Sequence, residues 1–450
     1  MAEQLTNEQQ AAVDSRGRSL LVSAAAGSGK TKVLVERLFS YVEREGANLD
    51  DFLIITYTRA AASELRGKIA RALTERMERD PGNEHLRRQM LRVYRADIKT
   101  VDAFCTALLR ENCHLLGEDA RGHTLRPDFR VLDENDAQAL RERVLARTLD
   151  DFYDRLTPGG ALLADTLGAG RDDSALEALV LELHAKLQAQ PYEDKWLDAQ
   201  RTLWSEVPDR IEKTPYGRIL LDEVRRKARH WQRLMQTAAQ EMTQNDALNQ
   251  KYAPAFLDIS YQLEALTAKA DEGWDAARGV SIAFPRLAPV KDSDGGKLKM
   301  RMKALWDGCK AAVKGFGELL NASSGEAAED LRTMAPAMLA LIDLTAEFSR
   351  RYNEEKRRRN AADFSDQEHE AIRLLIGEDG TPTELARTVS TRYREIMVDE
   401  YQDTNEVQNR IFDAISCKGE NLFTVGDVKQ SIYRFRLADP RIFLQHYNTW

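Results

Sequence analysis

The residues with the clearest capacity for chemistry form a run of small side chains that ends in a lysine and a threonine. The run consists of Ala24, Ala25, Ala26, Gly27, Ser28, Gly29, Lys30 and Thr31. Small residues allow backbone N–H groups to close around phosphates. We therefore expect an ATP-binding loop in which Lys30 reaches the β- and γ-phosphates and the Thr31 hydroxyl ligates Mg²⁺. The alternative is a glycine-rich turn with a solvated lysine.

A second chemical signal is a pair of carboxylates that directly follows an apolar run. Asp399 and Glu400 come after Ile396–Val398. Hydrolysis of a nucleoside triphosphate requires a metal held by an acid and a group that orients the attacking water. We expect Asp399 to hold Mg²⁺ and Glu400 to act as the base. Alone, these residues would more often be an acidic loop after a strand, but their pairing with the phosphate loop favours the catalytic role. We interpret Asp403 as structural.

The elements around these residues alternate between strand and helix near both ends of the chain. Ser19–Ser23 and Phe52–Thr56 read as strands, and the residues from Lys30 to Val42 have helical spacing between them. Because parallel strands are joined by helical crossovers, this order predicts a parallel sheet. Two further strand-like runs, Ile396–Val398 and Asn421–Val425, occur near the other end.

The middle of the chain has a different pattern. From about Glu134 to Asn360 the apolar residues recur mostly at helical spacing. Asp363, with Asp366 three residues later, predicts the start of the next helix. The fold prediction is therefore an α/β domain in two sequence segments, 1–120 and 361–450, with a mainly helical domain inserted at 121–360.

Composition limits the class of protein. The chain has 450 residues, 43% of them hydrophobic, and a net charge of -8, which argues against a polycation that coats DNA but allows a local basic groove. Its four cysteines lack metal-site spacing. No apolar run approaches the roughly 20 residues that span a bilayer, and the N-terminus lacks a secretion signal. We therefore expect a cytoplasmic protein without membrane contact.

Six segments, taken in order, resemble the motifs of superfamily 1 DNA helicases of the UvrD/Rep/RecB type. They are Leu5–Gln9, Ala24–Thr31, Thr56–Leu65, Lys99–Cys105, Val398–Thr404 and Val425–Arg436. Within that group, Phe129–Glu134, Asp363–Asp366 and Gly426–Pro440 are similar to segments of the A subunits of AddAB-type helicase–nucleases. Such complexes process double-strand DNA ends for recombinational repair.

The resemblance implies a RecA-like P-loop domain, the first lobe of an ATP-dependent 3′→5′ DNA helicase or translocase. The expected partners are single-stranded DNA, double-stranded DNA ends and a second helicase–nuclease subunit. Arginines of a second lobe, which complete such sites, and a nuclease domain would lie outside this chain. We therefore expect an incomplete active site with inefficient ATP turnover.

The resemblance also assigns roles to individual residues. Lys30, Glu400 and Gln430 would be catalytic, with Gln430 on the γ-phosphate and Gln9 reading adenine. The DNA contacts would be Thr56, Tyr57, Thr58, Arg59, Thr100, Phe104, Tyr433, Phe435 and Arg436. Ordinary structural roles compete with these assignments: Gln9 as a helical residue, Gln430 as a solvated turn residue, and Tyr57 and Tyr433 as packed aromatics.

Three basic stretches could form a DNA track. They are Arg225–Arg233, Lys297–Lys314 and Lys356–Arg359, and the first two contain Trp231 and Trp306. Basic residues interleaved with aromatics suit nucleic acid, but such runs are also typical of solvated helix faces.

Two other functions stay open. One is a UvrD/Rep-type repair helicase without a nuclease, and the other is a non-catalytic DNA-binding or assembly module.

Overall fold

A computed structural model of the chain describes residues 5–25, 27–118, 122–167, 173–416, 419–431 and 438–449, with the backbone alone at 292–295. The chain divides into two compact units. The first comprises Met1–Leu156, Leu167–Asp198 and Asp343–Trp450, and the second comprises Thr157–Thr166 and Ala199–Ile342. In the described ranges, no helix is both long and apolar enough to cross a bilayer.

The first unit is built on a parallel sheet. The described strands, in chain order, are β1 Leu20–Ser23, β2 Phe52–Thr56, β3 Asp97–Thr100, β4 Arg130–Val131, β5 Ala361–Ala362, β6 Glu395–Val398 and β7 Leu422–Gly426. Five of these strands form the main sheet in the order β1-β7-β6-β2-β3, and all described pairs in it are parallel. Strands from the two ends of the chain therefore interleave, because β6 and β7 lie between β1 and β2.

Apolar side chains on the strands explain why this sheet is buried on both faces. Strands β2, β6 and β7 are buried along their whole length, as expected for parallel strands covered by helices. Successive side chains point to opposite faces. Leu53 and Ile55 of β2 accordingly belong to one core, and Phe52 and Ile54 belong to the other. The predicted α/β class and the parallel sheet are confirmed.

Helices make up most of the described chain. They are α1 Asn7–Asp14, α2 Lys30–Glu45, α3 Arg59–Arg79, α4 Glu84–Arg92, α5 Val101–Asn112, α6 Glu134–Asp154, α7 Pro158–Leu167, α8 Ser174–Gln188, α9 Glu193–Ser205, α10 Pro215–Met242, α11 Asp246–Lys251, α12 Ala253–Glu272, α13 Trp274–Arg278, α14 Asp292–Leu319, α15 Ser324–Arg358, α16 Phe364–Leu375, α17 Glu384–Arg392, α18 Glu406–Ile415 and α19 Pro440–Thr449. Helix α14 is broken at Gly296.

The start of α16 confirms the predicted cap. Asp363 accepts a hydrogen bond from the Asp366 backbone N–H, and the Asp366 side chain accepts one from the Asp363 N–H. This reciprocal pair satisfies two backbone donors that a helix start leaves open.

The second unit is helical, and its core lies mainly among α10, α12 and α14. Phe256 packs against Trp306 with ring centroids 5.0 Å apart, and Phe284 meets the same indole edge-on. Trp306 is thus a core residue.

Candidate functional site

The loop between β1 and α2 turns on two glycines. Gly27 and Gly29 have φ angles of 74° and 84°, in the left-handed region that side-chain-bearing residues rarely adopt. The amide Nε2 of Gln9 donates to the Ser28 carbonyl oxygen at 2.8 Å, so α1 packs directly against this loop. The predicted loop residue Ala26 lies outside the described residues.

Lys30 and Glu400 come together although 370 positions separate them. The Lys30 Nζ lies 3.1 Å from Glu400 Oε2, and the Lys30 side chain is 8% exposed. Lys30 is the first residue of α2, and Glu400 follows β6 closely. Because carboxyl ends of parallel strands share one sheet edge, the fold places these residues together.

Asp399 and Glu400 differ in their surroundings. Burial, followed by the charge of Glu400, raises the pKa of Asp399 to about 6. The Glu400 backbone N–H donates to Asp399 Oδ1 at 3.0 Å. A buried carboxylate whose charge is disfavoured gains from a nearby cation. With the Thr31 hydroxyl, these carboxylates offer the oxygen ligands that Mg²⁺ prefers, so the donor set fits this ion.

Gln402 contributes to the site, although the sequence analysis did not predict a role for it. Its Nε2 donates to Glu400 Oε2 at 2.8 Å, while its Oε1 accepts from the Asp427 backbone N–H at 2.8 Å. A Cβ on Gly426 would lie 2.5 Å from that Oε1, so only glycine allows the close approach. Gln402 thus links the loops after β6 and β7. Its position two residues after Glu400 was the available signal.

Gln430 lies in the loop after β7. Its Nε2 donates to Asp427 Oδ2 at 2.5 Å, and this bond lowers the pKa of Asp427. The amide is therefore held by a carboxylate and borders the cleft described next.

The glycine loop, Lys30, Glu400 and Gln430 border a cleft of about 560 Å³. Its described lining residues are Gly27, Gly29, Lys30, Thr31, Lys32, Val35, Glu36, Lys68, Ala72, Glu400 and Gln430. The volume is within the usual range for small-ligand sites, about 300–1,000 Å³. Lys32 and Lys68 add positive charge that the sequence did not predict here. The cleft thus combines three lysines, a glycine loop and two carboxylates, Glu36 and Glu400, which suits a polyphosphate and its metal ion.

Four of the predicted DNA-contact residues, Thr56, Thr58, Thr100 and Phe104, have structural roles. Thr58 and Thr100 cap α3 and α5, accepting from Ala61 N–H at 3.0 Å and Ala103 N–H at 3.2 Å. Phe104 belongs to the apolar core, and Thr56 is buried with its hydroxyl donating to the Thr58 carbonyl oxygen at 3.2 Å. Their DNA contacts stay predictions.

The remaining predicted DNA contacts differ in exposure. The Tyr57 hydroxyl is 2.5 Å from Thr404 Oγ1, and burial raises the pKa of this phenol. Arg59 is exposed at the start of α3. Tyr433, Phe435 and Arg436 lie outside the described residues.

Two members of the basic stretches are not available as a solvent-facing DNA track. Lys356 is 1% exposed, and its Nζ contacts Asp363 Oδ2 at 2.9 Å and Asp366 Oδ1 at 2.7 Å. Trp306 belongs to the core of the second unit. Neither a DNA track nor a solvated helix face describes these two residues, because their neighbours supply counter-charges or apolar contacts.

Comparison with known proteins finds consistent relatives. The model of the UvrD/REP helicase N-terminal domain matches residues 5–450. Three relatives named as A subunits of ATP-dependent helicase/nucleases, each aligned over 99% of this chain, come from Acetivibrio thermocellus (34% identical), Alkaliphilus oremlandii (36%) and Desulfitobacterium hafniense (37%). The alignments cover 36%, 36% and 33% of the relatives' lengths, so the chain spans about a third of them.

Proposed function

Because the chain belongs to the UvrD/REP helicase family, we propose that it forms the nucleotide-binding part of an ATP-driven DNA motor. The observation that carries this proposal is the 3.1 Å contact between Lys30 and Glu400 in a cleft bordered by a glycine loop. The arrangement pairs a phosphate-binding cation with a base candidate at one edge of the sheet.

The proposed chemistry assigns one task to each group. Lys30 and the backbone N–H groups of the loop bind phosphate oxygens, and Thr31 and Asp399 hold Mg²⁺. Bound there, Mg²⁺ would neutralise charge that builds on the phosphates. Lys30 exchanges its contact with Glu400 for one with phosphate, which leaves the Glu400 carboxylate able to accept a proton from the attacking water.

Two glutamines complete the proposed site. Gln430 contacts the γ-phosphate, because an amide donates and accepts hydrogen bonds without adding charge. Gln9 reads the adenine edge, exchanging for it the bonds that its amide makes with the Ser28 carbonyl and the Thr6 backbone N–H. Its position beside the phosphate loop supports this role.

At the level of domains, we propose a RecA-like fold in two segments, 1–120 and 361–450, with the helical domain 121–360 inserted. The interleaving of β6 and β7 between β1 and β2 supports this arrangement, because neither end of the chain completes the sheet alone.

We further propose that the protein acts as a 3′→5′ DNA helicase subunit of a cytoplasmic helicase–nuclease that processes double-strand breaks with a partner subunit. The names of the relatives, which describe them as parts of ATP-dependent helicase/nucleases, favour this over a UvrD/Rep-type helicase without a nuclease. The joined Lys30 and Glu400 argue against a non-catalytic module.

The test is a single-turnover ATP hydrolysis assay with protein in excess, with and without single-stranded DNA, on Glu400→Gln. Glutamine cannot accept the proton, so we expect hydrolysis to fall on the order of 100-fold or more while nucleotide binding persists. Glu182→Gln, at an exposed Glu182–Lys186 pair, is the matched control. Unchanged hydrolysis by Glu400→Gln would refute the proposed role of the base.

A further inference from the structure

A second cleft, of about 340 Å³, lies between α6 and the C-terminal part of α15 within the first unit. Its described lining includes five arginines: Arg143, Arg147, Arg350, Arg351 and Arg358. Spacings of four residues on α6 and of seven or eight on α15 place these side chains along one face of each helix. Two rows of guanidinium groups therefore border one cavity, together with the carboxylates of Asp151, Glu354 and Glu355.

Three of these arginines are held by carboxylates. Arg351 Nη1 contacts Asp151 Oδ2 at 2.6 Å, which links α15 to α6. Arg350 pairs with Glu354. Arg358 donates to Glu355 Oε1 at 2.8 Å, and its hydrogen bonds are the main cause that lowers the pKa of Glu355 to about 2. These pairs fix the guanidinium positions before any ligand arrives.

The other two arginines lack a counter-charge in the part of the chain that the structure describes. Arg143 and Arg147 are exposed and make no ion pair or hydrogen bond with the described residues. They are one helical turn apart on α6, about 6 Å along its axis. The cleft therefore presents two available guanidinium groups, because those of Arg350, Arg351 and Arg358 are bonded to carboxylates that hold them in place. A ligand that satisfies the available pair is anionic.

We propose that this cleft binds the phosphodiester backbone of a DNA strand. The inference rests on the proposed DNA motor, and it adds a contact surface separate from the nucleotide cleft. Planar guanidinium groups match phosphate oxygens in bidentate geometry. The described lining contains no phenylalanine, tyrosine or tryptophan, so base stacking is not provided here. The contact is therefore to the backbone and independent of sequence.

The test measures DNA binding by the 450-residue chain carrying Arg143→Ala and Arg147→Ala. Fluorescence anisotropy reports the affinity over a range of salt concentrations. Loss of two phosphate contacts should weaken binding roughly 10- to 30-fold at about 0.1 M salt. The slope of log affinity against log salt should fall by about 1.4 for a single-stranded oligonucleotide or about 1.8 for a blunt duplex. The DNA, single-stranded or duplex, whose affinity falls in the double variant is the form that the cleft binds.

The control is a second double variant, Arg87→Ala with Arg88→Ala. It removes the same charge from α4, where both side chains donate to backbone carbonyls, and should change DNA affinity less than about twofold. Three results would each overturn the inference. DNA affinity could fall equally in the two double variants, it could be unchanged in the first, or the unmodified chain could fail to bind DNA. ATP affinity is measured in parallel and should stay unchanged in both double variants. It tests the proposed nucleotide site independently of DNA binding.

Discussion

At the scale of single residues, Glu400 combines an unusual backbone with two side-chain contacts. Its φ of 53° is in the left-handed region, which costs a residue other than glycine about 1–3 kcal/mol. Its carboxylate accepts from Lys30 and Gln402. These bonds hold the conformation, and the conformation places the carboxylate in the cleft. The backbone strain is thus at the residue that we propose as the base.

A second residue, Glu368, yields a pH prediction. Burial, with the charge of Asp102 adding to it, raises the pKa of Glu368 to about 7 although Gln408 donates to it. The unfolded group has a pKa near 4.5, so the folded chain binds more protons between these values. Stability contributed by this group is therefore lost as the pH rises from 4.5 to about 7.

We therefore expect Glu368→Gln, which cannot ionise, to be more stable than the unmodified chain by about 1–3 kcal/mol at about pH 8. The difference should shrink towards zero at about pH 5. Urea unfolding at both pH values measures it. A stability difference that does not vary with pH would contradict the raised pKa.

Local spacing made part of the site predictable. The small residues up to Gly29, followed by Lys30, specify a loop without reference to the rest of the fold. The bond between Gln402 and the loop after β7 was not predictable, because it depends on the close approach of Gly426. Burial of Lys356 likewise depends on counter-charges that α16 supplies, and basic sequence alone does not reveal them.

At the scale of elements, a buried ion pair connects α2 to β6. Arg37 Nε donates to Glu395 Oε2 at 2.8 Å, with exposed side-chain fractions of 1% and 3%. The Tyr41 hydroxyl donates to Glu395 Oε1 at 3.0 Å. Because the partners lie 358 positions apart, this pair joins the two ends of the chain.

Removing one partner should be costly. Arg37→Ala leaves the Glu395 charge buried without compensation, so we expect a loss of about 3–5 kcal/mol in the free energy of unfolding. Arg44→Ala on the same helix breaks an exposed pair with Asp14 and should cost less than about 1 kcal/mol. Denaturant unfolding compares the two variants, and similar losses in both would contradict the buried pair.

Strand prediction succeeded where apolar runs were continuous. Phe52–Thr56 coincides with β2, and Ile396–Val398 falls within β6. The two-residue strands β4 and β5 were not predicted, because their pairing depends on contact between residues far apart in the chain, such as Arg130 and Ala361. The order of the strands in the sheet was also not predictable, because the sequence of one strand does not specify which strands pair with it.

At the scale of the whole molecule, residues from both ends of the chain meet at the cleft beside Lys30. The glycine loop precedes α2, whereas the carboxylates and Gln430 follow β6 and β7. The predicted domain boundaries at 120 and 360 stay predictions. The chain spans about a third of the relatives' length, so unwinding and nuclease activity stay proposals.

Calorimetry of ATP binding to the 450-residue chain and to Lys30→Ala gives the sharpest test of the proposed nucleotide site. The ammonium group makes charge-assisted bonds to phosphate, so its loss should weaken binding about 10- to 100-fold. Lys186→Ala, at an exposed pair with Glu182, should bind like the unmodified chain. If Lys30→Ala binds ATP as tightly as the unmodified chain, the cleft beside Lys30 is not the nucleotide site.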